Sequence, residues 1–65
     1  MKKLINLLKD LADDNKYMVI IYDGEYNHYV IEILSPYGDI ISAGLATELE
    51  DAIDDAKKNM EGELD

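Results

Sequence analysis

Apolar residues recur at helical spacing near the start of the chain. Between residue 2 and about residue 14, Leu4, Leu8 and Leu11 return every three or four positions, with Ile5 and Ala12 beside them. Residues at this spacing lie on one side of an α-helix and form an apolar stripe that can pack against a core. The pattern predicts a first helix with this stripe buried.

A second helix is predicted near the end of the chain. Thr47-Glu48-Leu49-Glu50 matches a capping box, in which the threonine hydroxyl and the glutamate three residues later bond each other's free backbone amides. Gly62 is placed to end this helix, because glycine favours the left-handed conformation common at helix C-termini. The predicted buried face consists of Leu49, Ala52, Ile53, Ala56 and Met60.

The middle of the chain has the pattern of three strands. Residues 16–22 and 26–34 are rich in β-branched and aromatic side chains, and the tight-turn pair Asp23-Gly24 between them predicts a hairpin. Pro36 and Gly38 mark a second turn, a short third strand covers residues 40–43, and Gly44 then lets the chain leave the sheet. The predicted fold class is α+β: a single small domain over residues 1–65, in the order α-β-β-β-α, with a three-stranded antiparallel sheet and both helices on one face.

Antiparallel pairing also predicts which strand residues share a face, because a two- or a four-residue turn gives the same parity. The face expected under the helices carries Met18, Ile20, Tyr22, Tyr29, Ile31 and Ile33. The other face carries Tyr17, Val19, Ile21, Tyr26, His28, Val30 and Glu32. This second face is more apolar than a solvated face usually is, so we expect it to bind a partner or a second copy, unless the second helix or the chain end covers it. The candidate interface residues there are Tyr17, Val19, Tyr26, His28 and Val30.

Charge limits what the protein can bind. The chain has 15 acidic residues against six lysines and no arginine, which gives a formal net charge of −9. Arginine is the usual side chain for gripping phosphates, so direct binding to nucleic acid or to an anionic membrane is excluded. The expected partner is a protein with a basic surface.

The positions of the acidic residues suggest where such a partner would bind. Five lie within eight residues on the outward side of the second helix, and three lie at the C-terminal end of the first helix, where the helix dipole disfavours negative charge. Further acids, Glu61, Glu63 and Asp65, end the chain. The candidate partner-binding residues are Asp10, Asp13, Asp14, Glu48, Glu50, Asp51, Asp54 and Asp55.

Carboxylates in such rows can imitate the phosphates of nucleic acid. We therefore predict a non-enzymatic inhibitor that occupies the nucleic-acid groove of a basic protein, as phage or mobile-element antidefence factors such as anti-CRISPR or anti-restriction proteins do. Two alternatives remain open: a domain whose charge only keeps it dispersed, and a housekeeping interaction domain. The expected location is the cytoplasm, of a bacterial host if a phage encodes the protein.

From Tyr17 onward the chain resembles the N-terminal domain of HicB-type antitoxins. The similar segments are Tyr17-Met18-Val19-Ile20, Tyr29-Val30-Ile31-Glu32-Ile33, the turn with Pro36 and Gly38, Ile41-Ser42-Ala43-Gly44, and Thr47 with the acidic run from Leu49 to Ala56. The resemblance implies a β-β-β-α module of the partial ribonuclease-H-like kind. It also implies inhibition of a small basic RNA-cleaving toxin, with the second helix and the sheet edge as the contact region.

Other functions find little support in the sequence. The α-β-β-β-α order also matches double-stranded-RNA-binding domains, but those need basic residues on the helix where this chain has five acids. His28 is the only histidine and cysteine is absent, so we expect no catalytic residues, no metal site and no cofactor. Asp51, Asp54 and Asp55 lack the alternating ligands of a calcium loop. No apolar stretch has the length of a membrane span, and Lys9 and Asp10 interrupt the only candidate for a secretion signal.

Overall fold

The elements form in the predicted order in a computed structural model, which describes the backbone of residues 1–63 and the side chains of residues 1–60. Helix α1 spans Lys2–Asp13, and strands β1, β2 and β3 span Tyr17–Asp23, His28–Leu34 and Ile40–Ala46. Helix α2 spans Leu49–Glu63. The predicted α+β fold, one small domain with a three-stranded antiparallel sheet, is confirmed.

The sheet has the order β1-β2-β3 with both neighbouring pairs antiparallel, so β2 is central and β1 and β3 are edges. Met18 lies opposite Ile33, Ile20 opposite Ile31 and Tyr22 opposite Tyr29, which confirms the predicted faces. The turn between β1 and β2 covers residues 24–27, so Tyr26 belongs to this turn and the prediction that strand two begins at residue 26 was wrong. Asn27 adopts a φ of 54° there, a conformation that asparagine tolerates better than most residues.

Both helices pack on the same face of the sheet and enclose one core. Its fully buried residues come from α1, β2 and α2, and Met18, Tyr29 and Met60 pack against their margin. The Ser42 hydroxyl is buried among them and donates a 2.7 Å hydrogen bond to the Ala56 carbonyl, which satisfies both groups. The buried apolar residues are Leu7, Leu11, Ile31, Ile33, Ala52, Ile53 and Ala56.

Gly44 has a different role from the predicted one. It lies inside β3 and is buried, so it does not mark the point where the chain leaves the sheet. A Cβ atom built on Gly44 would approach the Ala52 carbonyl oxygen to 2.3 Å and the Ala56 nitrogen to 2.4 Å. Glycine is therefore required because the backbone of α2 crosses close to β3 at this point. The small side chains of Ala52 and Ala56 allow this close approach.

The stripe predicted on α1 is only partly buried. Leu7 and Leu11 are in the core and Leu4 packs against it, whereas Leu8, Ile5 and Ala12 are exposed. The apolar side of α1 is wider than a single stripe, so sequence spacing alone could not choose between Leu7 and Leu8. Helix α1 ends at Asp13, and beyond it Asn15 has a φ of 58° and the Lys16 amide donates to the Leu11 carbonyl at 2.8 Å.

Helix α2 begins later than the predicted capping box. Leu49 is its first residue, and the Ala52 amide donates to the Glu48 carbonyl at 3.0 Å, so Glu48 holds the position that Thr47 was expected to take. The helix also continues through Gly62 to Glu63, so the prediction that Gly62 ends it was wrong. The side chains of Glu61 and Glu63, and all of Asp65, lie outside the described residues.

Candidate protein-binding surfaces

The buried stripe of α2 determines where its acids point. Because Ala52, Ile53 and Ala56 face the sheet, the residues half a turn away face outward. Asp51 and Asp54 lie on this outward side and are exposed. Glu48 and Glu50 are exposed at the start of the helix, and Asp55 is half-buried on its flank towards β3. The structure thus places all five predicted acids of α2 at or near the surface. We call Glu48, Glu50, Asp51, Asp54 and Asp55 the α2 acidic row.

Three acids of this row are held by other parts of the same chain. Glu50 accepts a 2.8 Å hydrogen bond from the amino group of Met1, and Asp54 accepts one of 2.7 Å from the Lys3 Nζ. Asp55 accepts from the Leu45 amide at 3.1 Å. Among the described side chains, no hydrogen bond or ion pair involves Glu48 or Asp51. These two carboxylates are the ones freest to meet a partner.

Each of the two ion pairs shifts the pKa of one residue, Lys3 in one pair and Glu50 in the other. The hydrogen bond from Lys3 to Asp54, followed by the attraction of that carboxylate, raises the pKa of the Lys3 ammonium above 10.5. The hydrogen bond and charge of the Met1 amino group lower the pKa of Glu50 below 4.5. Both shifts have the direction expected of an attractive contact, and the two contacts join the start of α1 to the first turns of α2.

The acids at the end of α1 form a separate group. Asp10, Asp13 and Asp14 are exposed, and Asp14 lies 3.5 Å from the Lys16 Nζ. Helix α1 meets α2 through Lys3, and ten residues of helix separate Lys3 from Asp13, a rise of about 15 Å. The eight predicted partner-binding acids therefore divide into the α2 acidic row and a second group beyond the helix contact.

The sheet face opposite the helices is the second predicted surface. Tyr17 and Tyr26 are exposed there, and Val19, His28 and Val30 are half-buried. The Tyr26 ring stacks on His28 with centroids 5.8 Å apart, and the His28 Nε2 lies 3.8 Å from an Asp23 carboxylate oxygen. Both helices lie on the other face, as predicted, so the alternative that α2 covers this surface does not hold.

Strand β3 adds a residue to this face that the hairpin pattern alone did not identify. Leu45 pairs with Val30 and is 54% exposed. The prediction missed it because residues 44–46 were assigned to the chain leaving the sheet. Ile21 is also exposed on this face, as its position in β1 predicts.

The described part of the chain shows no pocket, metal-binding cluster or membrane-spanning helix. No pocket is found, and no group of three or more His, Cys, Asp or Glu side chains is arranged to hold a metal ion in residues 1–60. None of the helices over the described range is long and apolar enough to cross a membrane.

Comparison of the chain with protein-family models, with curated proteins and with solved structures gives no match.

Proposed function

We propose that the protein is a non-enzymatic inhibitor whose α2 acidic row binds the basic, nucleic-acid-binding surface of another protein. The observation that carries this proposal is the placement of the row: five carboxylates at or near the surface of one helix, with Glu48 and Asp51 unengaged among the described side chains. Side chains three or four residues apart on a helix stand about 5–6 Å from each other. That spacing resembles the spacing of successive phosphates along one nucleic-acid strand.

The internal contacts of the row support the same proposal. An acidic side chain loses rotamer freedom when it binds, and this loss weakens the complex. Lys3 and the Leu45 amide hold Asp54 and Asp55 in place before any partner arrives. Side chains that are already ordered bind at a lower entropic cost, although the Lys3 charge also offsets part of the attraction to a basic groove.

A HicB-like antitoxin that neutralises a small basic ribonuclease toxin is the second candidate. The observation that favours it is the packing of Gly44 under Ala52 and Ala56, because the resemblance involves the same glycine after the third strand and the same alanine-bearing acidic helix. The contact region would again include the α2 acidic row. A housekeeping interaction domain has no such observation in its favour.

Competition with nucleic acid tests the proposal. The immobilised chain is incubated with a lysate of the organism that carries its gene, and the bound proteins are eluted with short duplex DNA or RNA. We expect elution of one or a few basic nucleic-acid-binding proteins, because the nucleic acid and the α2 acidic row compete for the same groove. Retention that nucleic acid does not affect would contradict mimicry. A small ribonuclease in the RNA eluate, with its cleavage blocked by the chain, would identify the antitoxin function instead.

A further inference from the structure

The two edges of the sheet differ in whether their outward backbone groups form hydrogen bonds. At β3, Asp55 accepts from the Leu45 amide at 3.1 Å, and the Asn59 Nδ2 donates to the Ala43 carbonyl at 2.7 Å. A register shift near Leu34 further distorts this pairing. Helix α2 therefore occupies hydrogen-bonding groups that another strand would need, which is a common way of protecting a sheet edge.

Strand β1 has no comparable protection within the described residues. No hydrogen bond from a described side chain or from another described segment reaches the outward backbone groups of residues 17–22. This stretch, Tyr17-Met18-Val19-Ile20-Ile21-Tyr22, contains no lysine, acid, proline or glycine, and those are the residues that usually keep an edge from pairing. The outer edge of β1 is therefore able to pair with an additional extended strand.

An apolar patch lies beside this edge on the helix face of the sheet. Ile20 and Tyr22 point towards the helices but remain 45% and 55% exposed, because α1 covers only the beginning of β1. On α1, Ile5 and Leu8 are also exposed. The contact of Lys3 with Asp54 marks the side of α1 that faces α2. Ile5 and Leu8 lie roughly 160° and 140° around the helix from Lys3, so they point away from α2, towards the β1 edge. We call Ile5, Leu8, Ile20 and Tyr22 the β1–α1 patch.

We propose that two copies of this chain pair antiparallel through β1 to form a six-stranded sheet, with the β1–α1 patches of both copies packed together. Ile20 is the central residue of β1, so a two-fold axis beside it sets Ile20 opposite Ile20 and Met18 opposite Tyr22. Residues opposite each other in antiparallel strands point to the same face. The two α1 helices therefore lie on one face and meet above Ile20 and Tyr22.

A second copy fits better than a strand from another protein. An isolated strand would satisfy the backbone of β1 but would leave Ile5 and Leu8 exposed, whereas a second copy supplies an α1 helix that covers them.

The distribution of charge also allows two copies to pair through β1. Two chains of net charge −9 repel each other, yet β1 carries only Asp23, at its end, and the α2 acidic row lies beyond α1. A stable interface needs about 600 Å² per partner, roughly an eighth of the 4521 Å² exposed by one chain.

The molar mass in solution tests this dimer. Sedimentation equilibrium over micromolar to millimolar concentrations is expected to approach twice the 7.4 kDa of one chain. Ile20→Lys should raise the dissociation constant at least about tenfold, because two lysines meet at the axis. Leu45→Lys is the matched control, since it makes the same change of charge at an exposed apolar site away from β1, and it should leave the dimer intact. A monomer at every concentration would contradict the proposal and would indicate that a different protein pairs with β1. A dimer that Ile20→Lys does not weaken would also contradict the proposal.

Hydrogen exchange of the unmodified protein provides a test that does not depend on a variant folding. In an antiparallel edge strand, alternate amides point outward. We expect these alternate amides of residues 17–23 to exchange more slowly as concentration rises through the dimerisation range. Protection that is independent of concentration would contradict pairing through β1, even if the protein proved to be a dimer.

Discussion

Gly44→Ala is expected to remove a large part of the protein's free energy of unfolding. The new methyl carbon would lie 2.3 Å from the Ala52 carbonyl oxygen and 2.4 Å from the Ala56 nitrogen, and both are backbone atoms of α2 that cannot rotate away. Removing this steric clash requires α2 to move away from β3, and that movement opens the core around Ile53. We expect a cost of at least about 3 kcal/mol. A domain of this length has only about 3–10 kcal/mol of stability in total.

Gly24→Ala is the matched control for this prediction. Gly24 lies in the turn after β1, no atom of the described residues comes within 4 Å of its would-be Cβ, and its φ is outside the left-handed region. The same change of residue should therefore alter the free energy of unfolding by less than about 1 kcal/mol. Urea unfolding followed by circular dichroism measures both variants. Equal stability of the two variants would show that α2 does not pack against β3 as closely as described.

The second large effect is expected on binding. Glu48→Lys combined with Asp51→Lys should weaken the complex with the captured basic protein about 30-fold or more. The estimate assumes that each reversal removes one exposed attraction of about 0.5–1 kcal/mol and adds a repulsion of similar size. Glu48 and Asp51 are chosen because they are exposed and make no described polar contact, whereas Asp54 and Asp55 also hold α1 and β3 in place.

Glu25→Lys combined with Asp39→Lys provides the control for net charge. Both residues are exposed and lie outside the α2 acidic row, so this double variant changes the charge by the same amount. Calorimetric titration should find its affinity close to that of the unmodified chain. Urea unfolding of the α2 variant must accompany the titration, because lysines at the start of a helix are disfavoured by its dipole. An equal loss of affinity in both double variants would assign binding to overall charge rather than to the α2 acidic row.

Much of the fold could be predicted because its signals do not depend on precise boundaries. The pairing of Ile20 with Ile31 follows from the parity of antiparallel strands, which the actual four-residue turn leaves unchanged. Helix α2 was identifiable from the spacing of Ala52, Ile53 and Ala56. The first residue of α2 was not identifiable, because Thr47 is the favoured residue before a helix and yet Glu48 occupies that position.

The features that were missed depend on how the elements pack. A single glycine is compatible with a strand exit and with a close helix crossing, and only the position of α2 over β3 identifies the second role of Gly44. Likewise, Leu7 and Leu8 are adjacent on a broad apolar side, and the placement of α1 relative to α2 decides which one is buried. The same placement leaves Ile20 and Tyr22 exposed on the face predicted to be core.

The candidate surfaces could be predicted in composition but not in arrangement. The sequence supplied the acids of both helices, yet the contacts of Glu50 and Asp54 join residues about fifty positions apart and have no local signal. The separation of Asp13 and Asp14 from the α2 acidic row likewise follows from the way α1 and α2 meet. The unprotected edge of β1 becomes visible only beside the protected edge of β3.

The salt dependence of affinity tests the central claim most directly, namely that negative charge on α2 is what the partner recognises. Calorimetric titrations of the captured basic protein are made between 50 mM and 500 mM sodium chloride, roughly the range over which the Debye length shortens from about 14 Å to about 4 Å. We predict that affinity falls steeply with salt, and that the Glu48→Lys and Asp51→Lys double variant has a much shallower dependence. Affinity that stays constant across this range would contradict the account, because recognition would then rest on apolar contact.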